Sequence, residues 1–505
     1  MSSAPSYCSG RLAQGLGGAA VAGHPISALA GIAALEAGGN AVDACLAMAA
    51  SDWAAMPDMC GPGGDLFALW TDANGAVHAV NGAGPAPAAY VHPTSDAERA
   101  GLCLIPGAPA AFEYLAGHAG RLGRAAALAP AVALATRGVA VSARFDRQLQ
   151  ALRDGPLRQK LAAARGGALP KPGERFVLPG LAASLADWSQ RGPSASLAAA
   201  CADWATQGTR VTADEACAFK VAAETPLALP FGAWTIYGQP PMSQSVATLA
   251  SLGIAGADTV RENDAAHRTH MLIEAYKRAF AELDRLGDGH GPAARANEML
   301  AAANMRAKRE SIGHRASQGP AMVRNYGETT QVAAADASGG VCTLIHSLYR
   351  PFGGRCLAAN GWLSNDRGAS FSTGANAPAP GKRPRHTLVG ILMRHPEDGI
   401  WACGTPGAQA QTQTNLQVAV GLMRDAINPA AAVAASRWSF LGDDQIAVEA
   451  AMPRETLDAL VDKGHRLALR PPADWLMGSI GLAGVRNGLK IAVADHRREA
   501  LALAF

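Results

Sequence analysis

The chain has 505 residues, 49% hydrophobic, 17% charged and only 5% aromatic, with 56 glycines and a formal net charge of +3. That length and apolar content suit a large buried core, as one large domain or two ordinary ones, and exclude a disordered chain, a collagen and a small disulfide scaffold. The charges are scattered, with no Lys/Arg run to follow a phosphate backbone, so nucleic acid is not an expected partner.

From the N-terminus, residues 1–18 lack the basic start, apolar stretch and small-residue cleavage site of a secretory peptide. Residues 15–20 match a loose dinucleotide fingerprint, with Glu36 near the distance of a ribose contact, but no strand is expected before them. They read as a flexible entry segment, and no cofactor is expected. Apolar residues recur at helical spacing over 26–37 and 41–51, with Gly38-Gly39-Asn40 as cap and turn, which predicts a helical hairpin. Residues 66–71 and 77–81 predict two paired strands around Asn74-Gly75. Ala/Leu-rich helices follow over 107–220; the most apolar window, 125–136, is too short to cross a bilayer and contains Pro130, so no membrane partner is expected. A long helical stretch covers 264–286, where His267 and His270 have no third ligand nearby and predict no metal site.

Residues 313–328 are polar and without apolar periodicity, an exposed linker. A fresh hairpin follows, with strands at 329–335 and 341–348 around a 336–340 turn; further strands fall at 387–393 and 399–403, then a glycine turn at 404–407 and a helix from Gln409. The nine cysteines, at 8, 45, 60, 103, 201, 217, 342, 356 and 403, form no C-x-x-C and are odd in number. They read as buried thiols in a reducing compartment, so a cytoplasmic protein without structural zinc is expected. There is no G-x-x-x-x-G-K-[ST] and no G-x-S-x-G elbow.

An ordered set of short blocks carries a resemblance. Gly38-Gly39-Asn40-Ala41-Val42-Asp43-Ala44, Gly61-Pro62-Gly63-Gly64-Asp65, Ile105-Pro106-Gly107, Gly120-Arg121-Leu122, Leu128-Ala129-Pro130-Ala131, residues 138–142, Pro240-Pro241-Met242-Ser243 and Thr329-Thr330-Gln331-Val332 with Asp336, Gly339 and Ser347 stand in the order of the γ-glutamyltranspeptidases. The chain resembles that family of N-terminal-nucleophile hydrolases along nearly its whole length. The resemblance implies an α+β fold, a four-layer αββα sandwich, made by two products of self-cleavage between Glu328 and Thr329: a large subunit, 1–328, and a small subunit, 329–505, that stay together as a heterodimer, with a dimer of heterodimers left open. It also implies Thr329 as nucleophile, Ser347 as a hydroxyl that hydrogen-bonds it, and Gly407 and Ala408 as the oxyanion turn, where Ala408 replaces a glycine and is expected to keep φ negative. Cleavage would free an α-amine of pKa roughly 7.7–8.0 beside the hydroxyl, so that base and nucleophile share one residue.

The substrate-holding positions of the family are exchanged. Ala83 stands at the place of its arginine, Tyr349 of an Asn, Arg367 of a Gln, Ser370 of the ammonium-binding Asp, and His386 and Thr387 of a serine pair, while Gln331 replaces a histidine. Without its ammonium partner the pocket is poorly suited to a γ-glutamyl group, since an unpaired buried charge costs several kcal/mol. The expected substrate is a small carboxylate-bearing amide held by Arg367, with Arg385 or His386. Oxamate, hydrolysed by one branch of the resembled family, is an example. Two readings stay open beside it: a true γ-glutamyl hydrolase or transferase, and an uncleaved homologue that binds without catalysing.

Overall fold

Strand Glu328–Ala335 is buried from end to end, and its alternating side chains explain the architecture around it. Val332 and Ala334 point into a core shared with helices, whereas Ala333 and Ala335 point the other way into small clusters against a second sheet. A strand covered on both faces has no solvent face to fill with polar residues, so 332–335 reads as an apolar run instead of an alternation, while the polar side chains of 328–331 are buried against partners. The computed structural model in which this is seen describes residues 11–163, 166–322, 327–426 and 428–505.

Two seven-stranded sheets form the centre. One runs in the order Leu501–Ala504, Ala19–Ala22, Glu328–Ala335, Val341–Tyr349, Asp65–Thr71, Val77–Gly82 and Ala223–Glu224. The other runs Leu12–Gly15, Leu489–Ala494, Gly481–Arg486, Gly399–Gly404, Gly390–His395, Trp234–Gly238 and Leu227–Phe231. Between them lie small side chains, Ala19, Val21, Ala333, Ala483 and Ala492 toward one end and Ala79, Ala335, Val341 and Ala402 toward the other. Helices Pro25–Glu36 and Ala41–Ala55 cover the outer face of the first sheet, and Ser245–Ala255, Ala265–Ala281 and Ala410–Arg424 that of the second. This is the four-layer αββα sandwich, and the alanine-rich, aromatic-poor composition suits a thin layer between closely stacked sheets.

The helical hairpin forms as its sequence predicts. Asn40 caps Ala41–Ala55 by accepting from the amides of Val42 and Asp43, and Asp43 returns a bond to the Asn40 amide. The N-terminal expectation is corrected. Residues 15–20 are no flexible entry segment: Leu12–Gly15 pairs with 490–493 and Ala19–Ala22 is a fully buried strand between Leu501–Ala504 and Glu328–Ala335. No helix begins there, so the glycines do not build a dinucleotide turn.

The polar linker is held in part. His270 bonds the Gly313 carbonyl, Lys277 donates to that of Ser317 at 2.7 Å, and the Gly319 amide donates to Asp444 at 2.7 Å. Among the described residues no helix is long and apolar enough to cross a membrane.

Candidate functional site

Strands Glu328–Ala335 and Val341–Tyr349 slip register once: Glu328 faces Tyr349 and Thr330 faces His346, so Thr329 alone stands opposite Ser347 and Leu348. Such bulges re-aim side chains at a strand end. Here the Ser347 hydroxyl donates to the Glu328 carbonyl oxygen at 2.6 Å, while the Tyr349 amide donates to Ser347 Oγ at 2.7 Å and fixes its direction. The carbonyl joining Glu328 to Thr329 is therefore already polarised in the uninterrupted chain. On the other side, Gln411 Nε2 reaches Thr329 Oγ1 at 3.5 Å and its Oε1 accepts from the Val389 amide at 3.0 Å. Thr330 donates to Asp52 at 3.2 Å, and Gln331 ties the two sheets, bonding Thr343 Oγ1 at 2.9 Å and the Gly481 amide at 3.1 Å. The glycine loop has a steric reason: a Cβ on Gly64 would lie 2.3 Å from the Ser347 carbonyl oxygen.

The turn at Gly407-Ala408 abuts the same place, since a Cβ on Gly327 would sit 3.2 Å from the Ala408 Cβ. Its backbone differs from expectation. Gly407 has φ +128° and Ala408 φ +49°, so Ala408 does not keep φ negative but holds the left-handed conformation of the glycine it replaces. Left-handed backbone costs an L-residue about 1–2 kcal/mol. Ala408→Gly is accordingly expected to stabilise the chain by about 1 kcal/mol, part of the relief being offset by glycine's looser unfolded state. Urea denaturation of the two proteins checks this.

The expected substrate-holding residues do gather, but as a closed network. Arg367 is wholly buried, its Nε 2.7 Å from Asp65, its Nη1 3.4 Å from Thr387 Oγ1 and its guanidinium 4.5 Å from the Tyr349 ring centre. His386 Nε2 lies 3.0 Å from the same Asp65 oxygen. Burial works to raise the Asp65 carboxyl, yet Arg367 and His386 together hold it below the usual carboxylate range. Burial, helped by the Arg367 charge, pushes His386 down to about 4, so the imidazole is neutral at pH 7. Arg367 is thus no free cation waiting for a carboxylate, because its charge is balanced by Asp65. Among the described residues, Arg367 Nη2 and Asp65 Oδ1, both buried in this network, lack hydrogen-bond partners, and Tyr349 Oη and Ser370 Oγ have none but each other. Burial raises the Tyr349 phenol, partly countered by Ser370 and Arg367. Arg385 lies apart, bonded to Asp284 at 3.1 Å and Ser372 at 3.2 Å. Ala83 packs in an apolar cluster with Phe67, Ile345 and Leu388.

Asn365 gathers the sequence blocks: its side chain bonds the carbonyls of Gly63 and Leu104, each at 2.9 Å, and accepts from the amides of Leu104 and Arg367. The Pro241-Met242-Ser243 turn clamps the His386 segment through the His386 amide to the Met242 carbonyl and the Ser243 hydroxyl to that of Leu388.

Four residues of the site were not singled out by sequence reasoning: Gln411, Asp52, Asp65 as the partner of Arg367, and Arg498. Arg498 Nη1 pairs with the Glu328 carboxylate at 3.2 Å, and its Nη2 donates to the Trp475 carbonyl at 3.2 Å. Its Asp495-His496-Arg497-Arg498 cluster in an apolar terminus was a visible signal, without a visible target. Thr329, Arg498, Arg144, Pro406 and Ser479 line one small cavity.

The sequence model described as Gamma-glutamyltranspeptidase matches residues 27–505. The chain is 29% identical to the glutathione hydrolase-like YwrD proenzyme of Bacillus subtilis, over 96% of this chain and 97% of that one. It is 28% identical to the oxamate amidohydrolase proenzyme of Klebsiella pneumoniae, over 97% and 98% of the two chains. The crystal structure of cephalosporin acylase from Bacillus halodurans is similar over 100% of this chain and 99% of that one, with a TM-score of 0.89 at 25% identity. With a family match from residue 27 to the last residue, on an N-terminal-nucleophile hydrolase fold, the chain is an enzyme acting on amide C–N bonds and belongs to the gamma-glutamyltranspeptidase family.

Proposed function

We propose that the protein is a self-processing amidohydrolase that cuts itself before Thr329 and then uses the Thr329 hydroxyl to hydrolyse a small carboxylate-bearing amide. The observation that carries this reading is the Ser347 hydroxyl on the Glu328 carbonyl at 2.6 Å, with the Gly407-Ala408 turn against residue 327. In self-processing, Thr329 Oγ1 adds to the Glu328 carbonyl carbon, the C–N bond to Thr329 breaks, and the acyl group moves to oxygen. Water then opens the ester, leaving a Glu328 carboxylate and a free Thr329 amine and hydroxyl. In turnover the amine takes the hydroxyl's proton as Oγ1 attacks the substrate and returns it to the departing nitrogen, and water resolves the acyl-enzyme. Amides of the Gly407-Ala408 turn and the Ser347 hydroxyl stabilise the oxyanion. Arg367, Tyr349, Ser370, His386 and Thr387 form the polar wall of the acyl pocket, supplying directed hydrogen bonds more than net charge. The two products act as one heterodimer, in the cytoplasm, a location supported by eight described cysteines without a disulfide.

Oxamate is the smallest substrate of this class, and the 28% identical oxamate amidohydrolase supports it. Glutathione-like γ-glutamyl substrates are the second reading, supported by the 29% identical glutathione hydrolase-like relative. Ala83 in its apolar cluster and the uncharged Ser370 count against it. Intact-mass analysis of the purified protein should find two chains, the second starting at Thr329, and oxamate should be hydrolysed well above γ-glutamyl-p-nitroanilide. Comparable rates on both would favour the γ-glutamyl reading, and a single uncleaved chain of full activity would overturn self-processing.

A further inference from the structure

When Thr329 Oγ1 adds to a carbonyl, two oxygens of the tetrahedral centre change charge: the carbonyl oxygen and Oγ1 itself. For the first, the proposed donors are the Ser347 hydroxyl and the amides of the Gly407-Ala408 turn. For the second, the side chain within reach is Gln411, whose Nε2 lies 3.5 Å from Thr329 Oγ1.

Gln411 belongs to the same continuous segment as the turn. The Ala410 and Gln411 amides donate to the Gly407 and Ala408 carbonyls at 2.9 and 3.2 Å, and helix Ala410–Arg424 runs on from there. The Gln411 side chain is wholly buried and held from behind. Its Oε1 accepts from the Val389 amide at 3.0 Å, while Asn415, one turn further along the helix, donates to the Val389 carbonyl at 3.0 Å. Two side-chain amides four residues apart thus grip both backbone groups of one residue, as a neighbouring strand would. Because the Val389 N–H needs an acceptor, the oxygen of Gln411 faces it and the NH2 faces Thr329. Gln411 can therefore donate to Oγ1 but cannot take its proton. At 3.5 Å the contact gives a neutral hydroxyl little. A developing alkoxide is a far stronger acceptor, so the bond strengthens where charge appears and not in the resting state.

We propose that Gln411 is a catalytic residue, the donor that stabilises negative charge on Thr329 Oγ1 when that oxygen attacks and, above all, when it leaves. In acylation the Oγ1 proton passes to the α-amine as the O–C bond forms. In deacylation the amine takes a proton from the attacking water, the C–Oγ1 bond breaks and that proton goes to Oγ1. Gln411 moves no proton at either step. The ester opened in self-cleavage has the same leaving oxygen, so one donor serves both reactions. The inference rests on the Thr329 reading above and adds a residue to it.

The test is the time course of self-cleavage after cell-free synthesis, followed by intact mass for wild type, Gln411→Met and Gln411→Glu, and it needs no external substrate. Gln411→Met, with neither donor nor acceptor, should cleave about 10- to 100-fold more slowly than wild type. Gln411→Glu keeps an acceptor for the Val389 amide but has no donor once ionised. At about pH 9.5, above the range of about 8–9 documented for buried glutamates, it should be as slow as Gln411→Met. On the cleaved enzymes kcat for oxamate should fall by the same order with KM unchanged or lower, because Gln411 touches the enzyme's oxygen and not the substrate. Urea denaturation of the uncut variants checks folding; should Gln411→Met fail to fold, Gln411→Glu, which keeps the Val389 bond, carries the test. Wild-type cleavage by Gln411→Glu at that pH would reduce Gln411 to a prop for Val389, and a change in KM alone would assign it to substrate binding; either overturns the proposal. Absence of the chain starting at Thr329 in wild type would instead overturn the reading on which it rests.

Discussion

Thr329→Ala is expected to leave one uncut 505-residue chain and to reduce amide hydrolysis by at least about 10³-fold, whereas Thr329→Ser should cut itself and turn over. Both effects come from one atom. Without Oγ1 nothing adds to the Glu328 carbonyl that Ser347 polarises, so neither the new amine nor the acyl-enzyme can form. Serine keeps the oxygen and loses only a methyl group. If Thr329 were merely a β-branched residue opening a buried strand, the alanine variant would lose about 1 kcal/mol of stability and nothing else. Intact mass and a rate measurement on the same sample separate the two accounts.

The second large effect concerns stability. Asp65→Asn should destabilise the protein by roughly 3–5 kcal/mol, because it removes the carboxylate that balances a wholly buried Arg367 and accepts from His386. Arg367 would keep its charge opposite a neutral amide, with the distant Thr387 hydroxyl and the Tyr349 ring beside it. Replacing both partners, as in Asp65→Asn with Arg367→Gln, should recover a large part of the loss, since the penalty belongs to the unpaired charge more than to the missing bond. Urea denaturation of both single variants and the double variant supplies the cycle. Equal and additive losses would mean the pair contributes no coupling.

Much of the fold was legible where local chemistry decides it. Asn74-Gly75 turns a hairpin, Gly38-Gly39-Asn40 ends one helix and caps the next, and the apolar run after Thr329 forms a strand buried on both faces. What escaped is set by partners far away in the chain. Leu12–Gly15 becomes a strand by pairing with 490–493, and no nearby residue announces that. The position of Thr329 followed from an ordered resemblance, not from composition. Asp65 and Arg367 are 302 residues apart, so the sequence exposed the new cation without its counter-charge. Glu328 and Arg498, 170 residues apart, were hidden for the same reason. The φ of Ala408 was misjudged because a tight turn against residue 327 outweighs an alanine's own preference.

The strand order of the two sheets bears on reversibility. In the first sheet Ala19–Ala22 lies between Leu501–Ala504 and Glu328–Ala335, and in the second Leu12–Gly15 pairs with Leu489–Ala494, so both sheets mix strands from before and after position 328. The uncut chain can find this interleaved arrangement as a unimolecular search with tethered ends. Two separate polypeptides would have to find it by collision, each exposing unpaired strand edges meanwhile. On the proposed cleavage, cutting would act as a one-way gate in folding: the mature enzyme would persist by the slowness of its unfolding, and a molecule once denatured would have lost the tether that assembled it.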